Sequence, residues 1–427
     1  MTAPPQIAAR IAGVRLEPVS TPLRGRASPP GSKSITNRVL LLAALARGRS
    51  VLTGALKSDD TARMAEALRA MGVTVEEPDA TTFVVEATGR LRKPDGPLFL
   101  GNAGTAMRFL TAAVVLVDGE VVLDGDAYMR ERPIGALVEA LALLGIDGRS
   151  TNGKPPVTIV GRGGFSGERV EIDASLTSQY VSALLMLAAC GERPVDVALK
   201  NVDIGARGYI DLTIAAMRRF GGEVAELGNG VWRVSPTGYV ATDALVEPDA
   251  SAATYLWAAE VLTGGAIDQG VAAADFTQPD AAAHAVIAAF PDMPSVIDGS
   301  QMQDAVPTLA ILAAYNRTPV RFTGIANLRV KECDRTRALA DGLNAIQPGL
   351  AREEADDLVV QGDPALAGQT RPCRIDVHGD HRIAMSFALA GLKTAGIVVE
   401  NPACTAKTWP AYWDVLAALG VRMEFDV

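Results

Sequence analysis

One pattern limits what this chain can fold into more than any other. A helix-patterned run ends in an apolar residue and a glycine, and a strand-like run follows. It occurs as Met71-Gly72-Val73, Leu144-Gly145-Ile146, Phe220-Gly221-Gly222 and Leu419-Gly420-Val421. A glycine just past a helix end takes the left-handed backbone that stops the helix. The first three copies lie about 75 residues apart, a period longer than a solenoid repeat. Ile346, before Gln347 and Pro348, lies about that far before Leu419 and reads as a degenerate copy. The chain thus divides into about six units of roughly 70 residues, three in each half.

Within a unit the pattern is strand, helix, strand, helix, strand, strand. In the second unit Leu98-Phe99-Leu100 reads as a strand, GNAGT as a turn and Ala106 to Val117 as a helix; VVLDG is the next strand and Ile134 to Leu144 the second helix. In the third, SLTSQY opens a helix, and Tyr209 to Phe220 is another, with Ile210, Ile214 and Met217 on one face. Strands alternating with helices imply an α/β (α+β) chain of mixed sheets covered by helices. The half-way boundary falls near Glu247-Pro248-Asp249, and SAATYLWAAEVL starts the second half. The first 30 residues do not fit the first unit; if they pair with the second half, the chain crosses between domains twice. GRGGFSG at 161–167 lacks the spacing and the following helix of a dinucleotide loop, and reads as a hairpin turn.

Composition narrows the function. Across 427 residues, an apolar fraction of 48% supplies ample core for two domains and argues against disorder. No apolar run approaches the roughly 20 residues that span a bilayer. MTAPPQIAARIAG has no signal-type apolar segment. The four cysteines are scattered, as expected of a reducing, cytoplasmic protein. Only three histidines are present, and no dedicated metal set can be assembled. The net charge of −9 argues against nucleic-acid binding. Yet Lys33, Arg38, Arg108, Arg130, Arg132, Lys331, Arg335, Arg382 and Lys407 recur in polar turns. Cations gathered at turns in an acidic protein point to a small, multiply anionic ligand.

Those turns repeatedly lead into helices. In PGSKSITNR, Pro30 and Gly31 break the preceding run, Ser32 and Ser34 are capping residues, and Lys33 falls at a helix N-terminus, where free N–H groups favour an anion. Arg38 lies four residues after Ser34, on one face. GNAGTAMR at 101–108 offers glycines for close backbone approach, with Thr105 and Arg108 following. RERPIG carries Arg130 and Arg132, and SLTSQY carries Thr177, Ser178 and Gln179. In the second half, QMQDAVPT holds Asp304; NLRVKECDR holds Asn327, Arg329, Lys331, Glu332, Asp334 and Arg335; GDHRIAMS holds Asp380, His381 and Arg382; CTAKTWP holds Lys407.

Taken in order, these motifs resemble the 5-enolpyruvylshikimate-3-phosphate (EPSP) synthase family over about residues 30 to 415. The resemblance implies two similar domains, each of three βαβαββ units around a pseudo-threefold axis. One is discontinuous, residues 1–29 plus 249–427; the other, 30–248, is inserted, with the active site in the cleft between them. It implies transfer of the enolpyruvyl group of phosphoenolpyruvate to the 5-hydroxyl of shikimate 3-phosphate, by a cytoplasmic monomer needing no metal or organic cofactor and binding neither nucleic acid nor membrane. Carried over by motif, Lys33, Ser34, Arg38, Thr177, Ser178, Gln179, Tyr209, Asp304, Asn327 and Lys331 hold shikimate 3-phosphate. Lys33, Asn102, Gly104, Arg132, Gln179, Arg335, Arg382 and Lys407 surround phosphoenolpyruvate. Asp304 is the expected base, Glu332 the expected proton donor to carbon, and Lys33 the cation touching both substrates.

The chain departs from the family pattern in three places. Phe109 follows GNAGTAMR where many members carry proline, and Tyr128 stands where some have arginine. A serine two or three residues before Tyr209 is absent: Gly205, Ala206, Arg207 and Gly208 occupy the stretch, and Arg207 is a candidate to replace its phosphate contact. Two other readings are a UDP-N-acetylglucosamine enolpyruvyl transferase, which typically uses a loop cysteine missing from the first half, and a non-catalytic anion-binding relative, against which Asp304, Glu332 and Lys33 all argue.

Overall fold

The computed structural model describes residues 11–426. The N-terminal stretch inspected for a signal segment therefore lies, up to Arg10, outside the described residues. The chain divides into two compact units. One, the inserted unit, is Gly31–Glu247; the other, the discontinuous unit, combines the chain up to Pro30 with the chain from Pro248 onward.

The inserted unit contains three sheets, each with two helices. The first joins strands Ala46–Thr53, Thr74–Glu76 and Phe83–Thr88 to helices α1 (Lys33–Leu45) and α2 (Asp59–Ala70). The second contains Leu98–Phe99, Asp118–Asp124, Asp147–Thr151 and Lys154–Arg162, with α3 (Gly104–Ala113) and α4 (Gly135–Leu143). The third contains Arg169–Ile172, Val195–Leu199, Val224–Gly228 and Val231–Val234, with α5 (Gln179–Ala188) and α6 (Gly208–Arg219). In the second and third sheets the spatial order is first, second, fourth, third. The first two strands run parallel, joined by a helix, and the last two form an antiparallel hairpin. The first sheet takes its missing parallel strand from Tyr239–Val240, at the far end of the unit.

The discontinuous unit repeats this plan. Val296–Asp298, Val320–Thr323, Ala351–Glu354 and Asp357–Val360 form a sheet of the same order, with α9 (Val306–Ala314) and α10 (Arg335–Ile346). Another contains Thr370–Ile375, Ala395–Glu400 and Met423–Asp426, with α11 (His381–Gly391) and α12 (Tyr412–Ala418). Its fourth strand is Gly13–Leu16, which pairs with Ala395–Glu400 and Met423–Asp426. The remaining repeat is reduced to a two-stranded parallel sheet, Arg24–Arg26 with Ala266–Asp268, carrying α7 (Ala250–Thr263) and α8 (Ala283–Ala288).

The two helices of a repeat differ, and this difference positions the candidate site residues. The first is sheathed by protein: every residue of α3, α9 and α11 is buried. Such helices have no polar face, so their polar residues gather at the N-terminal ends. The second helix is amphipathic, as in α2, α6 and α10. Each unit has its own apolar core. Glycines 72, 145, 221 and 420 all have positive φ, from +80° to +92°, and end their helices. After Ile346 the backbone turns extended at Gln347, and the left-handed residue comes later, at Gly349 (φ +81°). Among the described residues no helix is long and apolar enough to cross a membrane.

Two sequence expectations need correction. The helix expected from Ala106 starts two residues earlier, at Gly104, so the glycine is its first turn rather than part of the preceding loop. GRGGFSG is not a hairpin turn. The strand before it belongs to the second sheet and the strand after it to the third, where Arg169–Ile172 pairs with Val195–Leu199. The segment links two repeats, and Gly161 is required by packing, since a Cβ there would lie 2.1 Å from the Val117 carbonyl oxygen.

Candidate active site

In the inserted unit the polar residues converge on the starts of α1, α3, α5 and α6. Ser32 caps α1, its side chain accepting from the Ile35 N–H. This leaves Lys33 as the first helical residue, buried, with Nζ 3.5 Å from the Asp60 carboxylate. Arg38, one turn further along, is buried completely. Its Nε donates to Thr213 Oγ1 at 2.7 Å, Nη1 to the Ser34 carbonyl at 2.8 Å, and Nη2 to the Tyr209 carbonyl at 3.1 Å and Ser182 Oγ at 3.3 Å. Its guanidinium carbon lies 5.2 Å from the Phe109 ring centroid and 5.7 Å from that of Tyr209. Every one of these partners is neutral. Burial accordingly pulls the guanidinium down to about 10, with Tyr209 a minor opposing influence.

The start of α3 forms a second focus. Arg108 Nη1 donates to the Gly104 carbonyl at 3.0 Å, and Arg132 Nη1 to Asn102 Oδ1 at 3.1 Å. A Cβ on Gly104 would lie 2.7 Å from nitrogens of both guanidiniums. Two arginines thus flank a backbone position that only glycine can fill without displacing them. Gln179 Nε2 donates to Thr105 Oγ1 at 3.3 Å, tying the start of α5 to the start of α3. Ser178 is buried beside it, and the Gln179 N–H donates to Thr177 Oγ1.

The discontinuous unit holds one continuous ionic network. Arg335, the first residue of α10, is capped into place by Asp334, whose side chain accepts from the Arg337 N–H. Its guanidinium donates to Asp380 (2.7 Å), Glu332 (2.6 Å) and Asp304 (3.1 Å). Burial pulls Arg335 down, but the charges of Asp380, Glu332 and Asp304 outweigh it and hold the group above its ordinary range. Arg382, at the start of α11, donates to Asp304 at 2.8 Å and is likewise held up by carboxylates against burial, Asp304 foremost. Lys407 Nζ lies 3.5 Å from Glu332, and Lys331 Nζ 4.0 Å from Asp304. Asn327 donates to Gln303, the residue before Asp304.

Reasoning from motifs missed three residues of these clusters and both partners of a fourth, Asp380. Asp60 partners Lys33. Ser182 and Thr213 hold Arg38 from inside α5 and α6. Asp380 caps α11 by accepting from the Arg382 N–H while its carboxylate binds Arg335. The motif GDHRIAMS names Asp380 but shows neither partner.

The EPSP synthase (3-phosphoshikimate 1-carboxyvinyltransferase) family profile matches residues 18–416. The chain belongs to the EPSP synthase family. A 3-phosphoshikimate 1-carboxyvinyltransferase of Rhizobium leguminosarum bv. trifolii is 67% identical over 97% of this chain and 99% of its own length. One from Pseudomonas syringae pv. syringae is 65% identical over 95% and 97%. Among solved structures, EPSP synthase from Acinetobacter baumannii superposes with a TM-score of 0.79 at 26% identity, covering 97% of this chain and all of that one. An enolpyruvyl transferase of Streptomyces tendae shares the fold alone, with a TM-score of 0.74 at 17% identity.

Against the EPSP synthase pattern, the three departures have distinct surroundings. Phe109 is fully buried, its ring facing Arg38. Tyr128 is half exposed. Arg207 donates to Glu226 at 2.6 Å and lies over the Trp232 ring. A phosphate contact from Arg207 would have to draw it from that carboxylate.

Proposed function

We propose that this chain transfers the enolpyruvyl group of phosphoenolpyruvate to the 5-hydroxyl of shikimate 3-phosphate, releasing phosphate. The observation that carries the reading is the carboxylate pair bridged by Arg335, which donates to Asp304 at 3.1 Å and to Glu332 at 2.6 Å. The reaction adds an alcohol across the enol double bond and then expels phosphate. It needs a base for the hydroxyl and an acid for the methylene carbon. Two carboxylates in different surroundings divide such roles. Asp304 is the more open, its side chain 21% exposed against 7% for Glu332. Asp304 takes the hydroxyl proton as the oxygen attacks the enol carbon. Glu332 gives a proton to the methylene carbon, then takes one back from the resulting methyl as the carbon–phosphate oxygen bond breaks.

Lys33, Ser34, Arg38, Thr177, Ser178, Gln179, Tyr209, Asn327 and Lys331 bind shikimate 3-phosphate in this reading, with Asp304. The neutral surroundings of Arg38 support it, because a buried cation without a carboxylate has room for a ligand's negative charge. Lys33, Asn102, Gly104, Arg132, Gln179, Arg335, Arg382 and Lys407 bind phosphoenolpyruvate. Arginine forks suit its carboxylate and phosphate. The reading includes a cytoplasmic monomer, with Cys190, Cys333, Cys373 and Cys404 all free, and needs no metal or organic cofactor.

The test is phosphate release from phosphoenolpyruvate with shikimate 3-phosphate, UDP-N-acetylglucosamine or no acceptor. Release with shikimate 3-phosphate alone is the expected result. Release only with the UDP-sugar, or none at all, overturns the reading.

A further inference from the structure

Arg329 lies inside the motif NLRVKECDR yet binds neither substrate in the reading above. It ends up in a short 3-10 turn, Ala326–Val330, just before Lys331 and Glu332. Between that turn and the first residue of α10, positions 331–334 have no regular structure. Two side chains assigned to the reaction therefore sit on four residues of loop. Loops are the softer parts of a fold, whereas a proton donor to carbon must be held in place.

The two ends of this segment are fastened differently. At its C-terminal end, Asp334 caps α10. At its N-terminal end, the Arg329 guanidinium reaches out of the segment. Nε donates to Asp356 at 2.9 Å, Nη1 to Glu353 at 2.7 Å and Asp334 at 3.0 Å, and Nη2 to the Ala355 carbonyl at 2.6 Å. Glu353, Ala355 and Asp356 form the tip of the hairpin between Ala351–Glu354 and Asp357–Val360, where Ala355 has φ +54°. Glu353 also accepts a second cation, Arg337 of α10, at 2.7 Å. Hairpin tip, loop and helix are thus tied through one planar fork. An exposed salt bridge is ordinarily worth little. This one differs in engaging three carboxylates and a carbonyl from two chain segments, with the arginine side chain only 24% exposed and Glu353 16%.

We infer that Arg329 is a positioning residue, which with Glu353 and Asp356 holds the Lys331–Glu332 segment against Arg335 and Asp304. The inference rests on the proposed function, because it acts through Glu332. Misplacing a reacting group by about 1 Å costs on the order of 100-fold in rate, and Arg329 is what fixes the start of the segment.

A double-mutant cycle between Arg329→Gln and Glu332→Gln tests it, with kcat and both KM values measured. Arg329→Gln should lower kcat by about 10- to 100-fold. Arg329→Lys should not restore it, since an ammonium cannot reproduce the fork. In the Glu332→Gln background, Arg329→Gln should change kcat by less than about 3-fold, because the group it positions is already gone. If the two reductions multiply, or if Arg329→Gln moves only thermal stability, the inference is overturned. Should Arg329→Gln fail to fold, Glu353→Gln and Asp356→Asn each replace one charged acceptor of Arg329 by a neutral amide and are run through the same cycle. A Glu332→Gln enzyme with the wild-type rate would instead overturn the role of Glu332 itself, a separable outcome.

Discussion

Arg38 and Arg335 are both 1% exposed, and each lies at or one turn into the start of a helix. Their surroundings are opposite. Arg335 is held by Asp380, Glu332 and Asp304. Arg38 meets two hydroxyls, two carbonyls and two aromatic rings, and no carboxylate. The consequences for the two guanidiniums are opposite as well: burial pulls Arg38 down to about 10, while three carboxylates overcome burial and push Arg335 up. The discontinuous unit therefore carries its counter-charges with it. An anion that binds there competes with Asp304 and Glu332 for the same nitrogens. The inserted unit buries Arg38 among neutral acceptors, which under the proposed function leaves its counter-charge to arrive with the ligand.

The largest expected effect follows from removing each cation. Arg335→Met strips Asp380, which is fully buried, of its bidentate partner. Breaking a buried pair from one side typically costs about 3–5 kcal/mol, and denaturant unfolding should show a loss of that size. Arg38→Met removes a buried charge that has no ionic partner among the described residues. Its acceptors keep others, since Thr213 Oγ1 lies 2.8 Å from both Ser182 Oγ and the Tyr209 carbonyl. The expected change is within about 1 kcal/mol, the size of one net hydrogen bond. Both variants should be inactive. Equal losses of stability would break the comparison.

Within the discontinuous unit, the two carboxylates bound to Arg335 should separate by kinetics. Glu332→Gln removes a proton needed only in the transition state, so kcat should fall by about 10²- to 10⁴-fold with little change in either KM. Asp304→Ala should lower kcat as strongly and also raise the KM for shikimate 3-phosphate, because Asp304 is read as both base and hydroxyl acceptor. The same KM pattern from both substitutions would merge the two roles.

Lys33 is the intermediate case, a cation of the inserted unit that has a carboxylate, Asp60, at 3.5 Å. It is read as touching both substrates. Each charge-assisted contact is worth about 1.5–3 kcal/mol, or roughly 10- to 150-fold in binding. Lys33→Ala should raise both KM values by factors in that range. A rise confined to one substrate would assign Lys33 to that substrate alone.

How much of this was legible in the sequence depends on how local the cause is. Helix ends at Gly72, Gly145, Gly221 and Gly420 are readable because a left-handed residue is a local requirement. Lys33 at the start of α1 is readable for the same kind of reason, since Pro30, Gly31 and Ser32 announce a helix N-terminus. Ser182 and Thr213 are not readable: on buried α5 and on the buried face of α6 they look like ordinary small core residues, and their value lies in reaching Arg38 from 144 and 175 positions away. Asp60 looks like any first-turn acid and Asp380 like any cap; each fills that local role and a distant one too. GRGGFSG misled because turn residues between two strands look alike whether the strands pair with each other or belong to separate sheets. The shortened repeat at Arg24–Arg26 and Ala266–Asp268 likewise breaks a period that is otherwise regular.

The smallest effect is a proton count. Burial pulls Arg38 down to about 10. An anion beside it favours the charged form, so bound ligand raises that value. If Arg38 meets shikimate 3-phosphate as proposed, the sign follows by linkage: affinity should be full below about pH 10 and should fall as pH rises through that value, by up to about tenfold per pH unit. Near pH 10, binding must then take up part of a proton from solvent. Arg335 contributes nothing to this, because its carboxylates hold it charged throughout. Calorimetric titrations in two buffers of different ionisation enthalpy measure the uptake directly. Wild type should take up more protons per shikimate 3-phosphate bound at pH 10 than at pH 8. Phe109→Leu should move the onset to lower pH, because the ring 5.2 Å from the guanidinium favours its charge. Equal uptake at the two pH values, with the onset unmoved by Phe109→Leu, would mean that Arg38 already has a counter-charge, and the contrast with Arg335 would fail.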